Sequence, residues 1–347
     1  MTSVPPEIND SSTWYGPDLR GRTEWIELLS ESEITEVEIA VKRLEGSSFD
    51  LRSIKSDDFA LPLLKPRLHR LLEEVLNGRG FVLIRALPIQ RWTQRQAAIA
   101  FLGIGAHLGN LRIQNADGHL LGHVKDLGRS SEDPNTRIYQ TRERQTFHTD
   151  SCDVVGLLCL RPARSGGLSS LVSSTTIFNE MRRRRPDLLD VLLLPVETDR
   201  RGEIPAGAKP YFSIPVFNRH DGLISAIYQR QYIESARRFA GVAPLSAVQI
   251  EALDLLDELA NDPNLNLIME LQPGDIQLVH NHTVFHDRTA FEDFPEPERK
   301  RHLLRLWVAP PEARPLPEVF AERFGSVTPG DRGGVSVTGS SPTIPFE

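Results

Sequence analysis

The chain has 347 residues, 39% of them apolar and 25% charged, with a formal net charge of −7. That balance is globular, and the acidic excess argues against a general nucleic-acid surface, which needs basic patches. Apolar runs such as Ala97 to Leu102 fall far short of the roughly 20 residues of a membrane span, and Cys152 and Cys159 alone cannot build a disulfide framework or an all-Cys zinc site.

Met1 to Ser12 has no apolar core, so no signal peptide and a cytoplasmic location are expected. Residues 1–30 are polar and Pro-bearing, with Trp14, Tyr15 and Trp25 as anchors, and read as an arm laid over the surface. Ile34, Val37, Val41 and Leu44 recur at helical spacing and predict a helix over 33–44. A second stripe, Leu68, Leu71, Leu72 and Val75, predicts one over 65–76 that stops at Gly78. Phe81 to Ile84 reads as a buried strand, and Thr93 caps a helix over 94–107.

From Asn110 to Thr146 polar residues, Gly and Pro dominate. A stretch this long and irregular is more often functional than idle, and 110–147 reads as a lid-like insertion. Strands are then expected at 154–160, 168–173, 223–228, 268–271, 275–280 and 302–308. Helices are expected near 175–184, 186–193 and 247–259. The tail, 325–347, is rich in Gly, Ser, Thr and Pro and reads as extended or mobile. Helices first, then short strands with helical insertions, suggest one domain with a β sandwich or barrel and helices on one outer side. Alternation on the last strand puts Arg301, Leu303, Arg305 and Trp307 on one face and His302, Leu304, Leu306 and Val308 on the other. Two guanidinium groups on an inner face require a cavity that holds anions.

Phe147-His148-Thr149-Asp150 carries the sharpest local chemistry. Residues two apart on a strand point the same way, so His148 and Asp150 share one space. They make two-thirds of a 2-His-1-carboxylate triad, which leaves open positions on an iron(II). A lone His-x-Asp is a weak signal. Further along, Gly274-Asp275 leads into a strand and then His280, Asn281, His282 and His286: three histidines in seven residues, of 10 in the chain. Arg301 follows fifteen residues after His286, with Arg305 four further on. A dicarboxylate chelating a metal with one end can lay its far carboxylate against such a guanidinium fork.

His148-Thr149-Asp150, Gly166-Gly167-Leu168-Ser169, Gly274-Asp275 through His286, and Arg301-x-x-x-Arg305 together resemble the TauD/TfdA family of iron(II)/2-oxoglutarate dioxygenases, the group of taurine dioxygenase and clavaminate synthase. The resemblance covers about residues 80–310, its elements stand in the family's order, and it implies a double-stranded β-helix, or jelly roll, with flanking helices. It implies further that His148, Asp150 and His286 ligate Fe(II), and that Arg301 binds the distal carboxylate of 2-oxoglutarate. Ser169 stands where the family usually has Thr and could support that carboxylate. Arg305 matches a position that often faces the prime substrate, and Asn115, Arg144 and Gln145 in the insertion are candidates to touch it. O2 and 2-oxoglutarate as co-substrates, release of succinate and CO2, and hydroxylation of a small organic molecule, an anionic one included, follow from the resemblance. Because Asp150 is kept, hydroxylation is favoured over halogenation.

Two departures stand out: Ser169 for Thr, and His280-Asn281-His282 where the family often has Asp-Asn-Arg. Two other readings stay open. One is a zinc-dependent hydrolase built on His280, His282 and His286 with Asp150 or Asp287, which leaves Arg301 and Arg305 unexplained. The other is a jelly-roll binding module without catalysis. Cys152, two residues past Asp150, reads as a small wall residue rather than a nucleophile. A homo-oligomer is open, since the family is often dimeric or tetrameric.

Overall fold

The computed structural model of the chain describes residues 6–130 and 136–346. Six helices frame it: α1 (Glu31–Glu45), α2 (Lys65–Asn77), α3 (Gln94–Leu108), α4 (Ser174–Arg184), α5 (Pro186–Leu192) and α6 (Ala247–Asn261). Three of them open on a capping box. Ser30, Thr93 and Ser246 accept the backbone N–H three residues on, while Glu33, Gln96 and Gln249 reach back to the cap. The reciprocal bonds satisfy donors that a helix start leaves bare. Among the described residues no helix is long and apolar enough to cross a membrane.

The strands that matter to the site are β1 (Ile26–Leu28), β2 (Phe81–Arg85), β3 (Asn110–Arg112), β4 (Gly122–Val124), β5 (Gln145–His148), β6 (Val154–Arg161), β7 (Ser169–Ser173), β8 (Leu267–Met269), β9 (Ile276–His280), β10 (Val284–Arg288) and β11 (His302–Ala309). The larger sheet runs β1-β2-β9-β6-β11-β3, with β4 also on β11. The smaller runs β8-β7-β10-β5. Both are antiparallel apart from the β1–β2 pair.

Period-two alternation sorts the core into layers. Ile84, Leu158, Leu278, Leu304 and Leu306 of the larger sheet pack against α1, α2 and α3. Phe81, Leu83, Val155, Val279, Leu303 and Trp307 face inward and meet Leu171, Leu267 and Val284 of the smaller sheet. The outer side of the smaller sheet, Phe147, Val172 and Phe285, is covered by α4, α5 and α6. The core is therefore a two-sheet jelly roll with helices on both outer sides, not on one as the element order suggests. Two amphipathic groups of helices each need an apolar sheet face, and a sandwich has two to offer.

The arm and the tail are tied down. Trp14 and Trp25 are buried against Phe81, and the Ser12 carbonyl accepts from Ser173 and Thr175. In the tail, Arg332 is wholly buried and forks onto Asp153, while Val335 donates its N–H to Ile113. The 110–147 stretch supplies β3, β4 and most of β5, and Tyr139, shortly before β5, is buried beside the site; residues 131–135 lie outside the described part.

Candidate metal centre and active site

β5 and β10 lie side by side with His148 directly opposite His286. A directly opposed pair brings side chains close, and the two imidazole centroids are 4.1 Å apart. Asp150 arrives differently from the strand alternation expected above. β5 ends at His148, and the chain bends. The Thr149 N–H is bound to the Tyr228 carbonyl at 2.8 Å and the Asp150 N–H to Asn281 Oδ1 at 2.8 Å. One donor atom from each of His148, Asp150 and His286 lies within 4.8 Å of the others. Among the described residues this is the one group of three or more His, Cys, Asp or Glu that could hold a metal.

The protonation states suit a divalent cation. Burial raises the Asp150 carboxyl, but Arg305, the two imidazoles and the Trp307 indole N–H outweigh it and bring it to about 2. The Trp307 bond is 3.0 Å, and Arg305 Nη1 stands 3.4 Å from both carboxylate oxygens. Burial and the neighbouring His148 hold His286 down at about 3; burial likewise lowers His148. The set thus offers one carboxylate and two neutral imidazoles, the forms that ligate metals. His148 Nδ1 donates to the Thr146 carbonyl at 2.8 Å, which orients the ring and leaves Nε2 facing the cluster, where the Gln145 amide reaches it at 2.8 Å.

Two cavities meet at this cluster, and His148, Asp150, Gln145, Tyr139 and Arg305 line both. One continues to His286, Ser169, Arg288 and Arg301. Arg301 is buried, its Nη1 has no partner, and burial lowers its pKa to about 10. Ser169 Oγ exchanges hydrogen bonds with Gln277 and sits in the same cavity. A buried cation without a counter-charge is expensive, so this chamber fits the far carboxylate of a dicarboxylate whose near end reaches the triad. Arg288 shares it. Two residues after His286 on one strand, it faces the same way; it donates to the carbonyls of Thr141 and Glu143, and burial and Arg301 lower its pKa to about 9.

Several expected contacts fall elsewhere. Asn115 sits in a tight turn, bound to His119 Nδ1 at 3.0 Å, and lines neither cavity. Its neighbour Gln114 is buried and holds Arg305 Nε at 2.8 Å. Arg144 points out of the site, paired with Asp287 at 2.8 Å and about half-exposed. Cys152 is fully buried outside both cavities, and burial holds its thiol well up. His280 and His282 do not join His286. β9 ends at His280 and the chain turns, so His280 Nδ1 meets Thr283 Oγ1 at 3.1 Å and His282 Nε2 meets Asp153 Oδ1 at 2.9 Å. The histidine-cluster zinc site is therefore not assembled.

The profile of the "Taurine catabolism dioxygenase TauD, TfdA family" matches residues 45–307. The chain belongs to this family. It is 29% identical over 327 residues to FR-33289 synthase of Streptomyces rubellomurinus, covering 92% of this chain and 95% of that one. It is 31% identical over 310 residues to a taurine hydroxylase-like protein of Stachybotrys chartarum, covering 86% and 79%. Among solved structures, asparagine oxygenase in complex with Fe(II), hydroxyasparagine and succinate is similar in fold, with a TM-score of 0.61 at 18% identity over 82% of this chain and 93% of that one. The non-heme iron oxygenase OrfP with Fe and alpha-ketoglutaric acid aligns with a TM-score of 0.60 at 17% identity, over 82% and 93%. The chain is thus an oxidoreductase of the TauD/TfdA dioxygenase family.

Proposed function

We propose that this family member is a non-haem iron(II)- and 2-oxoglutarate-dependent dioxygenase that hydroxylates a small organic molecule and releases succinate and CO2. The observation that carries the reading is the buried Arg301 guanidinium, whose Nη1 has no partner, in the cavity that also opens on His148, Asp150 and His286. A hydrolytic zinc site gives neither Arg301 nor Ser169 a task.

His148, Asp150 and His286 would hold the iron, which supplies O2 activation coupled to oxidative decarboxylation of the co-substrate. This chain's own residues do the positioning. Arg301 binds the distal carboxylate through a fork, with the Ser169 hydroxyl beside it. Arg305 and Trp307 keep Asp150 ionised and fixed. Arg288 adds positive potential that favours a dianion over a monoanion in the same chamber. Tyr139 and Gln145 line both cavities where they meet.

The test is iron-dependent succinate formation from 2-oxoglutarate, together with co-substrate affinity in the Arg301→Lys and Arg301→Ala variants. Removing one partner of a buried charge pair costs about 2 to 5 kcal/mol, so alanine weakens 2-oxoglutarate binding roughly 30-fold or more. Lysine restores part of it, because an ammonium presents no planar fork. Unchanged affinity in the alanine variant would remove Arg301 from the co-substrate site.

A further inference from the structure

The second cavity, which Arg301 does not line, has a wall whose charges do not balance. It carries Arg137, Arg200 and Arg323. One carboxylate, Glu203, answers them: it pairs with Arg137 and lies 3.8 Å from Arg323 Nη2. The other acid on this wall, Asp199, is taken by Arg238 at 3.1 Å and Ser235 at 2.7 Å. Arg305 is matched by Asp150. Arg200 is 4% exposed and forms no ion pair among the described residues; its Nε and Nη2 donate to the carbonyls of Lys209 and Glu322, and its Nη1 has no partner. Arg323, 8% exposed, donates Nε to Ser151 Oγ at 2.9 Å. Both guanidiniums lie near the ring of Phe212, with centroid distances of 5.3 and 5.8 Å.

Three guanidiniums against one buried carboxylate leave a buried positive excess in the cavity that also holds the metal cluster; Glu322, which acts on Arg200, is solvent-exposed. Such charges are retained where a ligand supplies the missing anion, and guanidinium forks match the oxygens of phosphoryl groups. Resting on the oxygenase reading, we propose that the prime substrate bears a doubly charged phosphonate or phosphate monoester group, seated against Arg200 and Arg323, with its reacting carbon toward the triad. A carboxylate or sulfonate supplies one charge and leaves the other uncompensated.

The experiment titrates the wild-type chain, loaded anaerobically with iron(II) and 2-oxoglutarate, calorimetrically with four probes: propylphosphonate, propyl phosphate, propanesulfonate and butanoate. A dianion preference of at least about 10-fold over both monoanions is expected. The stronger of the two phosphorus probes identifies which ester or phosphonate class is the source. Arg200→Gln then weakens that probe roughly 30-fold or more and reduces the preference, while the 2-oxoglutarate affinity, set in the other cavity, stays. Arg323→Lys, which keeps the charge but loses the fork, gives an intermediate loss. Equal binding of all four probes, absence of binding included, overturns the proposal, as does a dianion preference that survives Arg200→Gln. The oxygenase reading fails separately, by absence of 2-oxoglutarate binding before any probe is added.

Discussion

Trp307 illustrates how much of this site depends on residues that never touch the metal. It is 1% exposed, packs in the inter-sheet core, and gives its indole N–H to Asp150 at 3.0 Å. Trp307→Phe keeps most of the apolar volume and removes that donor, so the carboxylate loses one of the groups that lower its pKa. Partners of this kind typically contribute 10- to 100-fold to metal affinity, and a loss of roughly that size is expected for Fe(II) or Mn(II) binding. Calorimetric titration of the folded variant checks it; unchanged affinity would show that Arg305 alone orients Asp150. At this scale the sequence is legible where chemistry and spacing agree. His148, Asp150, His286, Ser169 and Arg301 face one chamber as their order implies. Arg288 is legible too, since it follows His286 by two on a strand. Trp307, Gln114 and Asn281 were not readable, because their roles depend on which loop ends beside which strand.

The helices and long strands are placed by their own patterns, and the short ones are not. The helix stripes predict α1, α2, α3, α4, α5 and α6 to within two residues at each end, because capping boxes and an apolar face act locally. β5 and β10 hold two of the three proposed ligands, yet their sequences show no clean alternation. β10 is buried at all five positions: His286 and Arg288 line the chamber, Val284 packs between the sheets and Phe285 packs outward, so polarity does not mark the inside. The turn at Asn281 to Thr283 likewise separates His282 from His286, where one continuous strand would have aligned 280 with 282. Packing of α3 offers a prediction at this scale. A Cβ on Gly103 would lie 2.3 to 2.5 Å from three ring atoms of Phe59, which is fully buried. Alanine gains about 1 kcal/mol of helix propensity over glycine, whereas overpacking a tight core costs typically 1 to 3 kcal/mol. With the clash at the upper end of that range, because the ring of Phe59 is fully enclosed, Gly103→Ala lowers stability by up to about 2 kcal/mol in urea unfolding without changing metal affinity. A stabilised variant would mean that Phe59 moves freely.

Across the whole molecule two buried polar regions stand out that do not follow from periodicity. One is the site. The other is the anchor of the tail, where Arg332 forks onto Asp153 and Asp153 takes His282, all at 1% exposure or less. The tail's composition reads as mobile because Gly, Ser and Pro dominate it; Arg332, reaching a carboxylate almost 180 residues earlier, holds it together with backbone bonds from Gly334 and Val335, and no local pattern announces contacts of that span. Burial on this scale has a pH consequence. His107, His123, His148, His280, His282, His286 and His302 all have lowered pKa values, with burial the first cause in each; His286 and His302 fall to about 3. In the unfolded chain each titrates near 6.5. Below that pH the unfolded state therefore binds protons that the folded state refuses, and stability rises with pH through this window. The metal-free protein is expected to be most stable above about pH 7 and to lose stability steadily as pH falls through 6.5 toward 4. Each histidine kept neutral contributes up to about 1.4 kcal/mol per pH unit. Asp150, lowered to about 2, adds to the loss below about pH 4. His302 isolates one proton of this slope, since it lies away from the triad, against His123 Nδ1 at 2.7 Å and Arg161 at 3.2 Å. Urea unfolding of the wild type and His302→Gln between pH 4.5 and 7.5 should show the variant's stability falling less steeply, by about one proton's worth. Parallel curves would mean that His302 takes up its proton in the folded state as readily as in the unfolded one.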